Sequence, residues 1–498
     1  MIRLRRWYVP QVFVFVTAMA LCALPKGAAQ NAADKPDEKK WVVDRSLNLT
    51  PRPVPVPALK YRFFPVAMDL KEGNAVPIYL RLAHEQNDAT RRLWREKPDQ
   101  WIEMPLDRIP IAEARKLFEK FAYNLRQLDL GTRRKTADWS YTLDAGDPIA
   151  MLLPDAQDMR YCGKVLAVKA RVEIAEGDYP AAARTLETGF AFARHLAEGP
   201  FLINGLVGIA IASQMTDAVL DWVNQPNAPN LYWSLTALPR PFIDLRKEFE
   251  FEYRMLELQF PDLADLKRER APAEWDAALK RVRTEFDRIS GLEEEGNQKK
   301  PKPRVPGTAP MDSAANSPEL PDAKKYLVDH LHVAADKVDN MPPAQVILLC
   351  TGATLEDLRD DFFKSVYLPA PQSMAVAQAA EKRLKSTPNL ETTRLPKIFL
   401  PAIPKVIVNN NRLDRKIAAL RIIEAARLYA AGHEGQLPEK LSDITEVPVP
   451  LDPGTGKPFE YQREKDAAAL IAPPLSVQST YISAPTGQRY RLILKSKE

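Results

Sequence analysis

Three side chains in the second half of the chain have the types and the spacing of a metal site. Asp329, His332 and Asp336 fall at positions i, i+3 and i+7, so a helix through them would place all three on one face. Carboxylate and imidazole groups are both ligands of divalent cations. The ordinary alternative is a charged, solvated helix side that binds nothing, and we favour that interpretation over a metal site.

A second acidic group could supply paired carboxylates for general acid–base chemistry. It consists of Glu356, Asp357, Asp360 and Asp361. A helix predicted to begin at Thr354 would place the first two acids in its first turn, where the helix dipole favours negative charge. Arg359 can pair with its acidic neighbours. Structure therefore explains these residues without catalysis.

The other catalytic signatures in the chain are incomplete. The PGTGKP sequence resembles a phosphate-binding loop, but Pro458 stands where the loop requires Ser or Thr. His84 and His433 each precede a glutamate, as the first histidine of a zinc-protease motif does. The second histidine of that motif is absent, because Asp88 and Leu437 occupy its positions. We therefore expect no catalytic residues and no cofactor.

The first 29 residues predict an export signal. Three arginines precede an apolar run from Val12 to Leu24, and small residues follow at positions 27 to 29. These are the basic region, the apolar region and the cleavage site of a secretory signal peptide. We expect the mature chain to begin near residue 30 and to be periplasmic or extracellular.

Cleavage changes the charge balance of the chain. The full chain carries 70 basic and 65 acidic residues, with a formal net charge of +5. Four of the basic residues and none of the acidic ones lie in the signal segment, which leaves 66 basic against 65 acidic residues and a net charge of +1. A nearly neutral chain lacks the electrostatic footprint of a nucleic-acid-binding protein.

Two cysteines remain after cleavage, Cys162 and Cys350. An oxidising compartment permits one disulfide between them, and two buried free thiols are the alternative. Neither belongs to a CxxC pair of the metal-binding type. Because a core of this size does not depend on one crosslink, we expect no essential disulfide.

The most apolar stretch beyond the N-terminus runs from Phe201 to Val223. Its first half is apolar on all sides and includes a line of small residues on which another helix can lie: Gly205, Gly208 and Ala212. Its second half has a polar strip: Gln214, Asp217 and Asp221. A membrane span is the alternative, but the run turns polar after about 12 residues, where spanning needs roughly 20. We predict a buried core helix, and no transmembrane helix in the mature chain.

Composition divides the mature chain into helical parts and connections. A proline at every second position from 51 to 57 predicts an extended tether over 30–58. A helical domain is expected over 59–290 and a helical continuation over 323–404. Between them, 291–322 is rich in charge and proline and is predicted to be a disordered linker. The remaining residues, 405–498, are predicted to form a long helix and a β-hairpin, so the fold class is mainly α with a small α+β unit.

Several helices are predicted from apolar residues that recur at intervals of three and four. One extends from Ile111 to Leu130 and is ended by Gly131. A second has one apolar face: Phe242, Leu245 and Phe249. A third has a regular apolar seam: Trp275, Leu279, Val282, Phe286 and Ile289. These faces are expected to pack within the helical domain.

A helical hairpin is predicted between Cys162 and Leu196. Its turn resembles one unit of the tetratricopeptide-repeat family, and four residues carry the resemblance: Gly177, Asp178, Tyr179 and Ala182. No second copy follows at a fixed period, and repeat arrays generally need about three units. A generic helical hairpin that leads into the apolar core helix is the favoured interpretation.

About 60 residues, which include the predicted helix, the turn and the hairpin, resemble the C-terminal half of type II secretion pseudopilins. The matching residues are Tyr429, Gly435, Leu437, Pro438, Asp452, Pro453, Gly456, Pro458, Phe459 and Tyr461. Pseudopilins begin with a membrane-inserted apolar helix, whereas here some 400 residues precede the match. The same arrangement is also similar to the C-terminus of large secreted helical proteins of planctomycete-type bacteria, a resemblance that implies no activity.

Together these observations predict an exported, non-catalytic scaffold or protein-binding protein of the cell envelope, with envelope proteins as partners. The alternatives are an envelope hydrolase with an acidic site and a component associated with a secretion apparatus. The sequence leaves the oligomeric state open.

Export is tested by N-terminal sequencing of the protein recovered from the envelope or the medium. We expect the first residue to lie near position 30. Replacing Val14 by Asp should keep Met1 on the chain and the protein in the cytoplasm, because a charge interrupts the apolar region. Recovery of Met1 on the exported wild-type protein would contradict the prediction.

Overall fold

The computed structural model describes residues 41–84, 88–141, 154–296, 314–387, 396–397, 400, 402–475 and 485–494. The predicted signal peptide and residues 30–40 of the predicted tether lie outside these ranges. Over the described residues the chain forms sixteen α-helices and a small four-stranded sheet near the C-terminus. The prediction of a mainly helical protein with a small α+β C-terminal unit is confirmed.

The helices, in chain order, are α1 (Val76–His84), α2 (Asp88–Trp101), α3 (Ile111–Lys120), α4 (Ala122–Thr132), α5 (Pro154–Ala175), α6 (Tyr179–Ala197), α7 (Leu202–Val223), α8 (Tyr232–Thr236), α9 (Arg246–Gln259), α10 (Pro261–Ala264), α11 (Pro272–Gly296), α12 (Leu320–Asp329), α13 (Ala335–Asn340), α14 (Pro343–Phe363), α15 (Ala370–Ser386) and α16 (Ala402–Gly432). The strands are β1 (Trp41–Leu49), β2 (Lys71–Asn74), β3 (Arg134–Thr136), β4 (Glu460–Arg463), β5 (Ala467–Ala472) and β6 (Gly487–Leu494).

The centre of the fold is the bundle of α5, α6 and α7. The predicted hairpin is confirmed, and Asp178 caps α6 by accepting a hydrogen bond from the Ala181 amide at 3.0 Å. Helix α6 lies directly on Gly208 of α7, where a Cβ atom would stand 2.6 Å from the Ala193 carbonyl oxygen. Helix α7 is long and apolar enough to cross a membrane, but 72% of its most apolar window is buried in the fold. The prediction of a core helix is therefore confirmed.

Two helix boundaries differ from the prediction. The helix expected from Ile111 to Leu130 is two helices, because Phe121 leaves the helical conformation and buries its ring 4.5 Å from that of Trp94. Helix α4 then continues past Gly131 to Thr132. The helix expected to begin at Thr354 begins eleven residues earlier as α14, since the apolar residues before Thr354 belong to the same buried face.

The predicted linker over 291–322 is wrong at both ends. Helix α11 runs to Gly296, while a short turn and α12 are already formed from Ala314 onward. Ala314 and Ser317 are buried, so this end of the segment is packed against the rest of the protein. Residues 297–313 lie outside the described ranges.

The predicted tether is wrong for residues 41–49, which form the edge strand β1. The sheet order is β1-β6-β5-β4, and β1 runs parallel to β6 with Leu47 opposite Leu492. Leu47 and Leu49 are buried, so the strand contributes its own apolar side chains to the core. The predicted hairpin is confirmed as the antiparallel pair of β4 and β5.

Helix α16 joins the sheet to the helical bundle. It contacts α7, α8, α15 and β5, and most of the buried apolar residues of both parts of the chain form one continuous core. Ile422 and Ala426 are fully buried on the second apolar face, as expected, whereas Tyr429 is half-buried. The small C-terminal unit is therefore packed against the larger helical part along this helix.

A buried ion pair fixes α16 to the turn that carries the pseudopilin-like motif. Arg415 donates to both carboxylate oxygens of Asp452 at 2.8 Å, and neither side chain is exposed. Arg415 also donates to the main-chain carbonyls of Pro473 and Thr486. Asp452 in turn accepts the amide of Gly454 at 2.9 Å. The turn of Asp452, Pro453 and Gly454 thus has a folding role in this protein.

Candidate functional site

The three candidate metal ligands do not share a helix face. Helix α12 ends at Asp329, His332 adopts a positive φ of 54° in the following turn, and Asp336 belongs to α13. After this turn, Val338 of α13 packs into a small core cluster separate from the main one, and it is 1% exposed there. Within the described ranges, no three His, Cys, Asp or Glu side chains lie close enough to hold a metal ion together.

The second acidic group lies far from a helix start, so the helix-dipole explanation is wrong. The four acids lie in the second half of α14. Two of them, Asp357 and Asp361, contact side chains of neighbouring segments. Asp357 accepts a hydrogen bond from the Tyr326 hydroxyl at 2.9 Å, and Asp361 binds Lys364 at 2.7 Å. Arg383 of α15 forms ion pairs with both acids. These contacts explain the group as helix-to-helix surface pairing.

The two cysteines and the His433–Glu434 pair also have local explanations. Cys162 and Cys350 are both buried, lie in separate core clusters and are not joined by a disulfide. The His433 ring stacks on Tyr429 with centroids 3.7 Å apart. His433 Nδ1 also lies 3.6 Å from a carboxylate oxygen of Glu446. Of the other pair, Glu85 lies outside the described ranges.

A surface groove of 390 Å³ lies where the end of α6, the start of α9 and the turn after α14 meet. Its charged and aromatic lining comes from three separate segments of the chain: Arg194, Glu198, Asp244, Arg246, Lys247, Glu250 and Tyr367. A groove of this size is at the small end of the range of about 300–1,000 Å³ for ligand pockets. None of these seven residues belongs to a motif that the sequence shows.

Helix α16 and α6 hold the floor of the groove. The Phe242 amide donates to Asp414 of α16 at 3.2 Å, and Asn410 of α16 donates to the Ile243 carbonyl at 3.1 Å. From the other side, Arg194 donates to the Phe242 carbonyl at 2.8 Å. Burial raises the pKa of Asp414 to about 6. The segment between α8 and α9 is thereby fixed on two sides.

The charges of the groove are only partly paired with each other. Arg246 donates to both carboxylate oxygens of Asp244, and these hydrogen bonds lower the pKa of that acid. By contrast, Lys247 donates to the main-chain carbonyl of Glu198 at 2.7 Å, and Arg194 likewise donates to main-chain carbonyls. The side chains of Lys247 and Arg194 are therefore held in place by neutral carbonyl groups, and their positive charge can still attract an acidic group of a ligand.

An exposed aromatic residue stands at the rim. The Tyr367 hydroxyl donates to Glu250 at 3.1 Å, while 59% of the residue remains exposed. Leu368 beside it is 40% exposed. The rim therefore offers an apolar contact next to charged groups, a combination common in protein-binding surfaces.

Two acids lie behind the groove on the inner face of α9. Glu248 is fully buried, and neither of its carboxylate oxygens has a hydrogen-bond partner among the described residues. One of these oxygens would lie 3.0 Å from a Cβ atom at Gly205. Glu252, one turn later, accepts the Leu202 amide at 3.0 Å and so caps α7. Burial raises the pKa of Glu248 to about 9 and that of Glu252 to about 7.

A signal for these two acids was present in the sequence. Glu248 and Glu252 each follow a residue of the predicted apolar face, Leu245 and Phe249, by three positions. Positions three apart lie on the same side of a helix, so both acids had to be buried with that face. An acid inside an apolar stripe is thus a sign of a perturbed pKa.

Comparison with known protein families, with curated proteins and with solved structures finds no match to this chain.

The buried acids predict a pH-dependent stability. Their pKa values in the folded protein exceed the usual value near 4.5. The contribution of the protonated acids to the free energy of unfolding is therefore fully present below about pH 4.5. It is lost as the pH rises toward 7 for Glu252 and toward 9 for Glu248. Urea unfolding should show a falling free energy of unfolding between pH 7 and 9, with a slope of at most about 1.4 kcal/mol per pH unit for one group.

Replacing Glu248 by Gln should flatten this slope, because the amide does not ionise. Glu250→Gln is the matched control, since Glu250 is an exposed acid of the same helix. Wild-type and Glu248→Gln curves that remain parallel between pH 7 and 9 would contradict the assignment.

Proposed function

We propose that this protein is an exported, non-catalytic binding protein of the cell envelope, which serves as a scaffold by holding a partner protein at the groove. The observation that carries the proposal is the pair of fixed cations, Arg194 and Lys247, beside the exposed Tyr367. Arginine and tyrosine contribute strongly to binding energy in protein interfaces. The envelope location rests on the export signal expected over residues 1–29.

The positions of the titrating acids favour binding over hydrolysis. A general acid or base must reach the substrate directly or through one water molecule. Glu248, Glu252 and Asp414 carry raised pKa values in this region, yet none of the three lines the groove. The two glutamates lie on the inner face of α9, and Asp414 binds the Phe242 amide behind the floor. Asp244, which does line the groove, has a lowered pKa and is bound by Arg246.

The resemblance to pseudopilins gives less support to a role in a secretion apparatus. The residues that carry it have packing functions in this chain: Asp452 binds the buried Arg415, and Tyr461 donates to the Pro438 carbonyl at 2.9 Å. Such a motif is explained by folding alone, and a shared fold element does not imply a shared function.

Site-specific photo-crosslinking in living cells tests the proposal. A photo-reactive amino acid at position 367 should form a discrete crosslink to an envelope protein. The same amino acid at position 123 is the control, because Tyr123 is also exposed, at 51%, but lies on α4 away from the groove lining. Charge reversal at Arg194 and Lys247 should abolish the crosslink.

The proposal fails if the exported protein gives the same crosslinking pattern from positions 367 and 123. It also fails if the crosslink from position 367 persists unchanged after both charge reversals.

A further inference from the structure

The groove has two charged walls, and each wall contains both signs of charge. Helix α6 supplies Arg194 and Glu198, four positions apart and therefore neighbours on one helix face. Helix α9 supplies Lys247 and Glu250 on its outer side. No wall is purely acidic or purely basic, so a ligand with charge of one sign would face repulsion on both sides.

The charges that remain available are balanced. Arg246 and Asp244 form a direct ion pair and cancel each other. Lys247 and Arg194 are held by main-chain carbonyls, which fix their positions without removing their charge. The hydrogen bond that Glu250 accepts from a tyrosine hydroxyl leaves its negative charge in place. Glu198 is exposed beside them.

We propose that the groove binds a short extended segment of a partner polypeptide in which pairs of acidic residues alternate with pairs of basic residues. Successive side chains of an extended chain point to opposite sides, so residues i and i+2 of such a segment present an acid and a base to the same wall, and both walls meet both signs of charge. Acids of the segment pair with the two cations, and its basic residues pair with Glu198 and Glu250. Tyr367 and Leu368 at the rim then pack against the segment where it leaves the groove. This inference rests on the proposed function and specifies the chemistry of its partner.

Fluorescence anisotropy with short labelled peptides, blocked at both ends, tests the inference. The mature full-length protein is titrated against three probes: a peptide of Lys-Lys-Asp-Asp repeats, in which the two signs alternate along each side (the alternating peptide), all-Asp and all-Lys. The alternating peptide should bind at least about tenfold more tightly than either of the others, because only it offers both signs of charge to each wall. Raising the salt from about 0.05 to about 0.5 M should weaken the binding markedly, since the contacts are exposed to solvent.

Two substitutions should reduce the affinity for the alternating peptide about fivefold or more each: Lys247→Gln and Glu198→Gln. Arg254→Gln is the control, because Arg254 is an exposed residue of α9 that does not line the groove. Circular dichroism confirms that each variant is folded. Loss of binding in the control variant would contradict the assignment to the groove.

Three outcomes would overturn the inference. Tightest binding of the all-Asp peptide would indicate an anion site, tightest binding of the all-Lys peptide a cation site, and equal or undetectable binding of all three a groove that does not recognise alternating charge. If the crosslink from position 367 still forms in any of these cases, the proposed function stands and only the chemistry of the partner is wrong.

Discussion

The ion pair between Arg415 and Asp452 is the contact on which the arrangement of the chain depends. Both side chains are fully buried, and removal of one partner of such a pair typically costs about 3–5 kcal/mol, because the other charge is left without compensation. The pair fastens the turn before the β4–β5 hairpin to the middle of α16. A second buried pair on the same helix consists of Arg427 and Glu424. Arg427 also donates a hydrogen bond to the main-chain carbonyl of Thr50, just after β1. Both ends of the described chain therefore meet at one helix.

The same helix positions the candidate site. Asp414 and Asn410 of α16 bind the main chain of Phe242 and Ile243, which form the floor of the groove. The groove residues of α9 follow immediately, and the inner face of that helix rests on the start of α7 through Glu252. A change in the packing of α16 is therefore transmitted to the groove through a few hydrogen bonds, although no residue of α16 lines it.

Local sequence patterns were enough to predict the elements whose partners are close in sequence. The seam of α11 follows from regular spacing of apolar residues, α7 from a continuous apolar run, and the α5–α6 and β4–β5 hairpins from the turn residues between their two arms. Strand β1 could not be predicted in this way, because it pairs in parallel with β6 at the opposite end of the chain. The buried Arg415 and Arg427 look like surface residues in the sequence. The groove was missed because its lining comes from separate segments that only the tertiary fold brings together.

We infer that α16 joins both ends of the described chain and the helical bundle into one cooperative unit. Native-state hydrogen exchange of the mature chain tests it most directly, because amides that open together share one free energy of exchange. The slowest amides of β1, β6, α7 and α16 should exchange with the same free energy and the same denaturant dependence. Exchange of β1 and β6 through a distinctly smaller opening, while α7 stays protected, would contradict the account.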